Sequence, residues 1–344
     1  MFEMIVQPGS FDLLLNIGFI VLKILIVIGI VMFHVAYATY FERKVIGHMQ
    51  VRMGPMEVGP HGVLQPIADM LKLFFKEDII PEKADKPVFY FAPIISLMAA
   101  LSSLAVIPFF DGFVIANINI GLLFILAMSS LGSYGIVLSG WSSDSKYAFL
   151  GGLRSSAQVI SYEIAMGLSL VGVMIMAGSL NLTDIVKAQA AYPTGMYAIP
   201  QILGFFVFIV AAIAETNRSP FDLPECESEL VAGYFVEYSG MRFALFYAAE
   251  YIGMIIMGSL AVTCYFGGWT IPWYITKVLP FLKFVPGVVW FALKVYFVIF
   301  FYYWIRATLP RYRYDQLMSI GWKVLIPLSL LNIIITGVIK YLVK

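Results

Sequence analysis

Long, nearly uninterrupted apolar stretches constrain the fold of this chain more than any other feature. A helix needs about 20 mostly apolar residues to cross the hydrocarbon core of a bilayer, and eight stretches of roughly that length are present. The predicted spans are residues 13–37, 89–109, 118–138, 156–177, 196–214, 243–266, 281–305 and 322–342. These stretches are continuous and longer than the alternating segments of about 10 residues that are typical of a membrane β-barrel. The sequence therefore predicts an all-α integral membrane protein, with about eight transmembrane helices forming one membrane domain over residues 1–344.

The composition supports this fold class and excludes others. Apolar residues make up 61% of the chain and charged residues 12%, against about 45–50% and about 25% in soluble domains. A net charge of +1 gives no basic surface for nucleic acid. Cys226 and Cys264 are too few for a disulfide framework or a thiolate metal cage, and no metal site is predicted. Residues 1–4 lack the basic segment of a cleaved signal, so we expect the first span to remain in the mature protein.

Charged residues collect on one predicted side of the bundle. The loops after spans one, three, five and seven carry most of the 22 Lys and Arg residues. The positive-inside rule places those loops in the cytoplasm and both termini outside. Most of the 21 Asp and Glu residues lie in the same loops, which the rule does not require. Either long loops simply carry charge, or this ionic face docks a soluble partner.

The sequence contains no motif for a bound redox cofactor. It lacks a dinucleotide-binding glycine fingerprint, a phosphate loop and a Cys-x-x-Cys pair. Only His34, of three histidines, lies in a predicted span, so haem ligation between helices is not expected. Any redox chemistry would require electron carriers in another chain.

The first inner loop contains a predicted amphipathic helix. Polar side chains recur at helical spacing, namely Gln65, Asp69, Lys72 and Lys76. The opposite face is apolar and consists of Leu64, Ile67, Leu71, Phe74 and Phe75. The helix is too short to span the bilayer and is suited to lie along it. It either rests on the membrane surface or lines a lateral entrance for a lipid-like molecule.

Two carboxylates, Glu163 and Glu250, lie inside predicted spans. Ionisable groups at such positions are costly and by default functional. Gln158, Ser161 and Tyr162 are expected to hydrogen-bond Glu163. The two acids either belong to a buried structural network or take up and release protons near neutral pH.

The densest polar segment follows span five. It contains two prolines, which interrupt a helix, and a set of carboxylates with few counter-charges. The carboxylates are those of Glu215, Asp222, Glu225, Glu227 and Glu229. Because apolar residues are interleaved with the acids, a partly buried polar funnel is favoured over a solvated acidic loop. Carboxylates crowded in such a funnel titrate as a coupled set. Arg306, at the end of span seven, is the cation expected to face them.

Six segments together resemble a known family. They are Glu-Arg-Lys-Val-Ile-Gly at 42–47, Gln-Pro-Ile-Ala-Asp at 65–69, Ser-Tyr-Glu-Ile-Ala-Met-Gly at 161–167, the segment 214–225, Glu-Tyr-Ser-Gly-Met at 237–241, and the segment 306–317. In this order they resemble the H-type membrane subunits of respiratory complex I, the proton-pumping NADH–quinone oxidoreductase. The resemblance extends over about residues 42–330.

The resemblance implies a place under the peripheral arm of that complex, in the inner membrane of a bacterium rather than of an organelle. Such a subunit forms most of the tunnel through which quinone, the substrate, enters from the lipid bilayer. No cofactor would be bound by this chain, and FMN and iron–sulfur clusters would lie in partner subunits. The partners would be the peripheral-arm subunits of the quinone site and neighbouring small membrane subunits.

The resemblance also assigns roles to individual residues. Tunnel or junction residues would be Glu42, Arg43, Asp69, Lys72, Arg218 and Arg306. A proton-coupling path towards antiporter-like subunits would consist of Glu163, Glu215, Asp222, Glu225, Glu227, Glu229 and Glu250. None of these residues would be catalytic in the sense of carrying the redox step.

Two departures from the family pattern lie near the predicted entrance. Glu57 stands where the family usually has a basic residue, and Met70 where it usually has glycine. Two alternatives also remain. One is the homologous subunit of a complex fed by ferredoxin or hydrogen, which this chain alone does not distinguish. The other is a free-standing ion-coupled transporter, which would be expected to show inverted repeats and broken midplane helices.

Overall fold

A computed structural model describes residues 10–222, 231–272, 277 and 284–343. Within these ranges the chain is helical, and its only β pairing is an isolated bridge between Phe110 and Phe113. The α-helices are α1 (Ser10–Met49), α2 (Gln65–Phe75), α3 (Lys86–Ser103), α4 (Gly121–Ser142), α5 (Lys146–Ala177), α6 (Leu182–Ala191), α7 (Ile202–Glu215), α8 (Gly240–Tyr265), α9 (Gly287–Thr308), α10 (Tyr314–Ile320) and α11 (Ile326–Val343). A short π-helical segment, Gly321–Leu325, joins α10 to α11. The predicted all-α fold class is confirmed.

Seven helical segments in the described ranges are long and apolar enough to cross a membrane, and α7 is a shorter apolar helix. Several helices extend beyond the predicted spans. α1 continues to Met49 rather than ending near residue 37, and α5 begins at Lys146 rather than near residue 156. At about 1.5 Å per residue the 40 residues of α1 measure about 60 Å, roughly twice the hydrocarbon core. The polar inner end of α1 therefore extends beyond the hydrocarbon core or requires the helix to tilt.

The segment between α5 and α7 differs from the prediction. α6, whose N-cap Asn181 accepts a hydrogen bond from the Thr183 amide at 3.0 Å, was not predicted because it is short and polar. α7 begins at Ile202, so residues 196–201 of the fifth predicted span lie outside the helix. Pro200 lacks the amide hydrogen that a helix interior requires, which favours a start after it.

α5 lies at the centre of the bundle. It packs against α4, α7 and α11, whereas α8 packs against α3 and α9. α4 and α5 approach closely at Gly140, where a Cβ atom would lie 2.8 Å from the Ala148 carbonyl oxygen. Small residues at such crossings let helix backbones approach in a membrane. Further along α4, serine hydroxyl groups bind acids of α5 and α7.

The outward face of α1 and one face of α2 are apolar. Phe19 and Phe33 of α1 are each 62% exposed, and Phe74 and Phe75 of α2 are 64% and 79% exposed. The predicted amphipathic helix thus forms as α2, with its apolar side chains uncovered. Such surfaces suit contact with lipid rather than water.

Candidate functional site

A buried carboxylate on α1, Glu42, binds two arginines from distant parts of the chain. Arg218 Nη1 lies 3.2 Å from Glu42 Oε1, and Arg306 Nη1 binds the same oxygen. The Tyr251 hydroxyl donates to Glu42 Oε2 at 2.5 Å. Two guanidinium groups therefore share one carboxylate in a site from which solvent is largely removed. These four residues are called the Glu42 cluster below.

Arg218 is held in the cluster by electrostatics and by the loop that follows α7. Burial opposes its charge, but the adjacent Tyr251 and Glu42 oxygens raise the pKa of the guanidinium well above its ordinary value, and Glu250 adds to this effect. Its guanidinium carbon lies 4.2 Å from the centre of the Tyr251 ring. Arg218 is therefore a permanent cation placed between carboxylates on α1 and α8.

Gln158 of α5 fastens the loop that carries Arg218. Its Nε2 donates to the carbonyl oxygens of Ala214 at 2.8 Å and Phe221 at 2.7 Å. Gln158 is fully buried, so these two bonds fix the backbone on both sides of Arg218. The expectation that Gln158 hydrogen-bonds Glu163 is therefore wrong.

Glu163 and Glu215 are bound by serines of α4. Ser130 Oγ donates to Glu163 Oε1, and Ser129 Oγ donates to Glu215 Oε1. The other two residues expected around Glu163 have different partners. Ser161 Oγ donates to the Ala157 carbonyl at 2.7 Å, and the Tyr162 hydroxyl donates to the Leu317 carbonyl at 2.9 Å. The prediction failed because consecutive residues on a helix project in different directions.

A cavity of about 110 Å³ lies between α3, α4, α7 and α8. Glu215, Glu250 and Asn217 line it together with the hydroxyl groups of Ser96 and Ser133. Tyr234 donates to Glu250 Oε1 at 3.0 Å. Since one buried water needs roughly 10–15 Å³ of such space, the cavity has room for several waters. Two of the predicted carboxylates, Glu215 and Glu250, therefore line the same polar cavity.

The remaining predicted residues lie around these two features. Asp222 is buried and accepts from Arg311 Nη2 at 3.0 Å. Arg43 of α1 binds Asp69 of α2 at 2.9 Å in a partly exposed ion pair. Lys72 is exposed, with no carboxylate partner among the described residues. Glu225, Glu227 and Glu229 lie outside the described residues, and so does any contact that they make.

Several residues of the site were not predicted from the sequence, among them Ser129, Ser130, Tyr251 and Arg311. The serines lie in an apolar span that contains several other serines, and nothing in the sequence distinguishes them. Tyr251 directly follows Glu250, and this position beside an acid inside a predicted span could have identified it as a site residue. Within the described ranges, no group of three His, Cys, Asp or Glu side chains lies close enough to hold a metal ion.

These features define a class: a multi-pass, all-α membrane protein with ion pairs and carboxylates buried between its helices. A family model for NADH dehydrogenase matches residues 22–337, and the chain belongs to that family. The NADH-quinone oxidoreductase H subunit 2 of Geobacter metallireducens is 52% identical over 339 residues, which cover 93% of this chain and 94% of that protein. The H subunit of the same enzyme from Rhodospirillum rubrum is 53% identical, covering 92% and 93%. The H subunit from Magnetococcus marinus is 51% identical, covering 94% and 91%.

Proposed function

We propose that this chain is the membrane subunit of a bacterial NADH–quinone oxidoreductase that admits quinone from the bilayer and couples its reduction to proton translocation. The names of its relatives support the complex, and the arrangement of buried charges supports the coupling. In this proposal the chain carries no redox centre of its own. FMN and iron–sulfur clusters belong to partner subunits of the peripheral arm, which dock on the ionic inner face.

The observation that carries the proposal is the position of Arg218. Its guanidinium binds Glu42 directly and is also stabilised by Glu250. A change of charge at either carboxylate therefore changes the electrostatic free energy of the same cation. Glu42 lies on α1, which also binds α2, whereas Glu250 lines the cavity. Arg218 thus couples a group near the predicted quinone entrance to a group inside the bundle.

The size of this coupling is sufficient for a proton switch. A unit charge about 8 Å away, at an effective dielectric constant of about 20, contributes roughly 2 kcal/mol. Since about 1.4 kcal/mol corresponds to a tenfold change in an equilibrium, the proton occupancy of a carboxyl group changes more than tenfold. Charge that accompanies quinone reduction at that distance would therefore be sensed by the carboxylates.

Ordered water is the proposed connection between the Glu42 cluster and the cavity. Several buried polar atoms in this region have no protein partner among the described residues, namely Gln158 Oε1, Glu215 Oε2, Asn217 Oδ1, Arg218 Nε and Arg218 Nη2. Buried polar atoms of this kind are usually satisfied by bound water. Asn217 adjoins Arg218 and lines the cavity, so water at these atoms would join the two sites.

The quinone entrance is proposed between α1 and α2. An ion pair between Arg43 and Asp69 links the two helices, and the apolar face of α2 is uncovered. An uncovered apolar helix lying along the membrane suits an isoprenoid substrate that arrives from the lipid phase. Glu42 directly precedes Arg43 on α1, which places the charge of the Glu42 cluster at the inner end of this route.

The donor and the membrane are part of the proposal. NADH is inferred from the names of the relatives, and neighbouring genes for flavin-binding and NADH-binding subunits would distinguish it from ferredoxin or hydrogen. Bacterial relatives point to the inner membrane. Purification of the chain as a lone, active carrier would instead favour an ion-coupled transporter.

The test uses the assembled complex reconstituted in liposomes. Glu215→Gln and Glu250→Gln each remove a titratable proton from the cavity while keeping side-chain size. We expect each to slow coupled quinone reduction and proton uptake by about tenfold or more, equivalent to about 1.4 kcal/mol of barrier. Asp111→Asn, at an exposed position on the predicted outer side, is the control and should leave both rates unchanged. Unchanged quinone reduction and pumping in the two cavity variants would refute the coupling role.

A further inference from the structure

Two adjacent serines on α4 contact carboxylates on two different helices. Ser129 Oγ binds Glu215 of α7, and Ser130 Oγ binds Glu163 of α5. Successive residues of an α-helix project about 100° apart, so neighbouring hydroxyl groups reach separate partners. The charges of Glu163 and Glu215 also influence each other. α4 therefore positions both members of an interacting carboxyl pair.

The Ser130 hydroxyl lies within hydrogen-bond distance of two acceptors. One is Glu163 Oε1, and the other is the carbonyl oxygen of Leu126, one turn earlier on α4, at 3.1 Å. A serine hydroxyl carries one proton and two acceptor lone pairs. It therefore donates to only one of these oxygens at a time and remains able to accept from the other side.

Each charge state of Glu163 matches one orientation of this hydroxyl. When Glu163 is ionised, Ser130 donates its proton to the carboxylate. When Glu163 is protonated, the carboxyl O–H donates to Ser130 Oγ, and Ser130 donates to the Leu126 carbonyl. The exchange rotates one O–H bond and leaves each donor with an acceptor, so neither state contains an unsatisfied buried group, which would be costly.

We propose that Ser130 is a positioning residue for proton uptake and release by Glu163, because its hydroxyl can reverse its hydrogen bond between the carboxylate and the Leu126 carbonyl. The proposal rests on the function proposed above, since it assigns a partner to one of the coupling carboxylates. Ser129 differs from Ser130, since Glu215 is the acceptor that the structure gives it. Ser129 holds one oxygen of Glu215, which lines the cavity, and the other oxygen, Oε2, has no protein partner among the described residues.

The test compares three variants of the assembled complex in liposomes. Ser130→Ala removes the hydroxyl, whereas Ser130→Thr keeps it. Ser139→Ala is the matched control, because Ser139 is a buried serine of the same helix whose hydroxyl donates to the Ile136 carbonyl at 2.8 Å and binds no carboxylate among the described residues. We expect coupled quinone reduction to be about tenfold slower in Ser130→Ala, and close to the wild-type rate in Ser130→Thr and Ser139→Ala.

Infrared difference spectroscopy supplies a measurement that would not change if Ser130 had a purely structural role. The carbonyl band of protonated Glu163 is assigned by its loss in Glu163→Gln. In Ser130→Ala this band should shift, because the carboxyl O–H loses its acceptor, and in Ser130→Thr it should return. If Ser130→Ala does not assemble, Ser130→Cys, with a weak donor, should assemble and show an intermediate rate and a shifted band.

The outcomes separate this inference from the proposed function. If Glu163→Gln keeps full coupling, the role of Glu163 fails, and the role of Ser130 fails with it. If Glu163→Gln abolishes coupling but Ser130→Ala or Ser130→Cys matches wild type in both rate and band position, only the role of Ser130 is overturned.

Discussion

At the scale of single residues, the consequence of burial is clearest at Glu42. Its carboxylate is the shared partner of Arg218 and Arg306, so Glu42→Gln removes the charge that both guanidinium groups bind. Breaking a buried ion pair by removing one partner costs about 3–5 kcal/mol. We expect less assembled complex in the membrane, and a lower unfolding temperature for the purified complex that is obtained.

The ion pair between Arg43 and Asp69 provides the comparison for this prediction. Its side chains are 51% and 33% exposed, and ion pairs in such positions contribute about 1 kcal/mol or less. Asp69→Asn should therefore leave the assembly and unfolding temperature nearly unchanged. Equal losses in the two variants would show that burial does not explain the importance of Glu42.

Sequence reasoning selected Glu42, Arg218 and Arg306 as ionic residues but not as partners. Arg218 lies 176 positions from Glu42, and Arg306 lies 264 positions from it. No local pattern encodes a contact across such separations. The roles of these residues in a tunnel or junction stay predictions, as do those of the acidic residues between 223 and 230.

At the scale of helices, the sequence predicts that a helix is present better than it predicts where the helix begins and ends. Apolar runs reveal the membrane helices because a bilayer requires about 20 apolar residues from each. The ends of α1 and α5 were missed because they carry polar residues, such as Glu42 and Arg154, that hydropathy assigns to loops. These polar residues continue the membrane helices, and the residues that they contact are brought close only when the chain folds.

A polar contact between helices gives the prediction at this scale. Gln201, before α7, accepts from Asn332 Nδ2 of α11 at 2.8 Å and donates to Thr336 at 2.7 Å. A Cβ atom on Gly172 of α5 would lie 2.5 Å from Gln201 Oε1 and 2.7 Å from Asn332 Nδ2. Gly172→Ala should therefore destabilise the protein by about 1–3 kcal/mol, measured as a lower unfolding temperature.

Gly337→Ala is the control for Gly172→Ala. A Cβ atom at Gly337 of α11 would meet nothing within 4 Å. Alanine also favours a helix over glycine by about 0.5–1 kcal/mol. This variant should be as stable as the wild type or slightly more stable. A loss comparable to that of Gly172→Ala would mean that helix propensity or lipid contact, rather than the Gln201 network, governs both positions.

At the scale of the whole molecule, the sequence predicts a separation of charge between the two sides of the bundle. The loops predicted to face the cytoplasm contain Asp69, Arg218, Asp222 and Arg311, and each of these residues takes part in an ion pair in the structure. Among the described residues of the predicted outer side, Asp111 and Lys187 form an exposed ion pair at 3.8 Å. Docking of a soluble arm on the ionic side and a single domain over the whole chain stay predictions.

This separation predicts where quinone contacts the molecule. Arg218 binds Glu42, and Arg43 binds Asp69, so the loop after α7 and the segment from α1 through α2 lie together at the proposed entrance. A photoreactive quinone analogue in native membranes should therefore label peptides within 43–76 and 215–229, and excess quinone should suppress the labelling. α6, on the predicted outer side, should remain unlabelled under the same conditions. A specific route concentrates the analogue at one polar end of the bundle. An entrance between α1 and α2 would therefore be contradicted if α6 alone were labelled. It would also be contradicted if all apolar helices were labelled and excess quinone did not suppress the labelling.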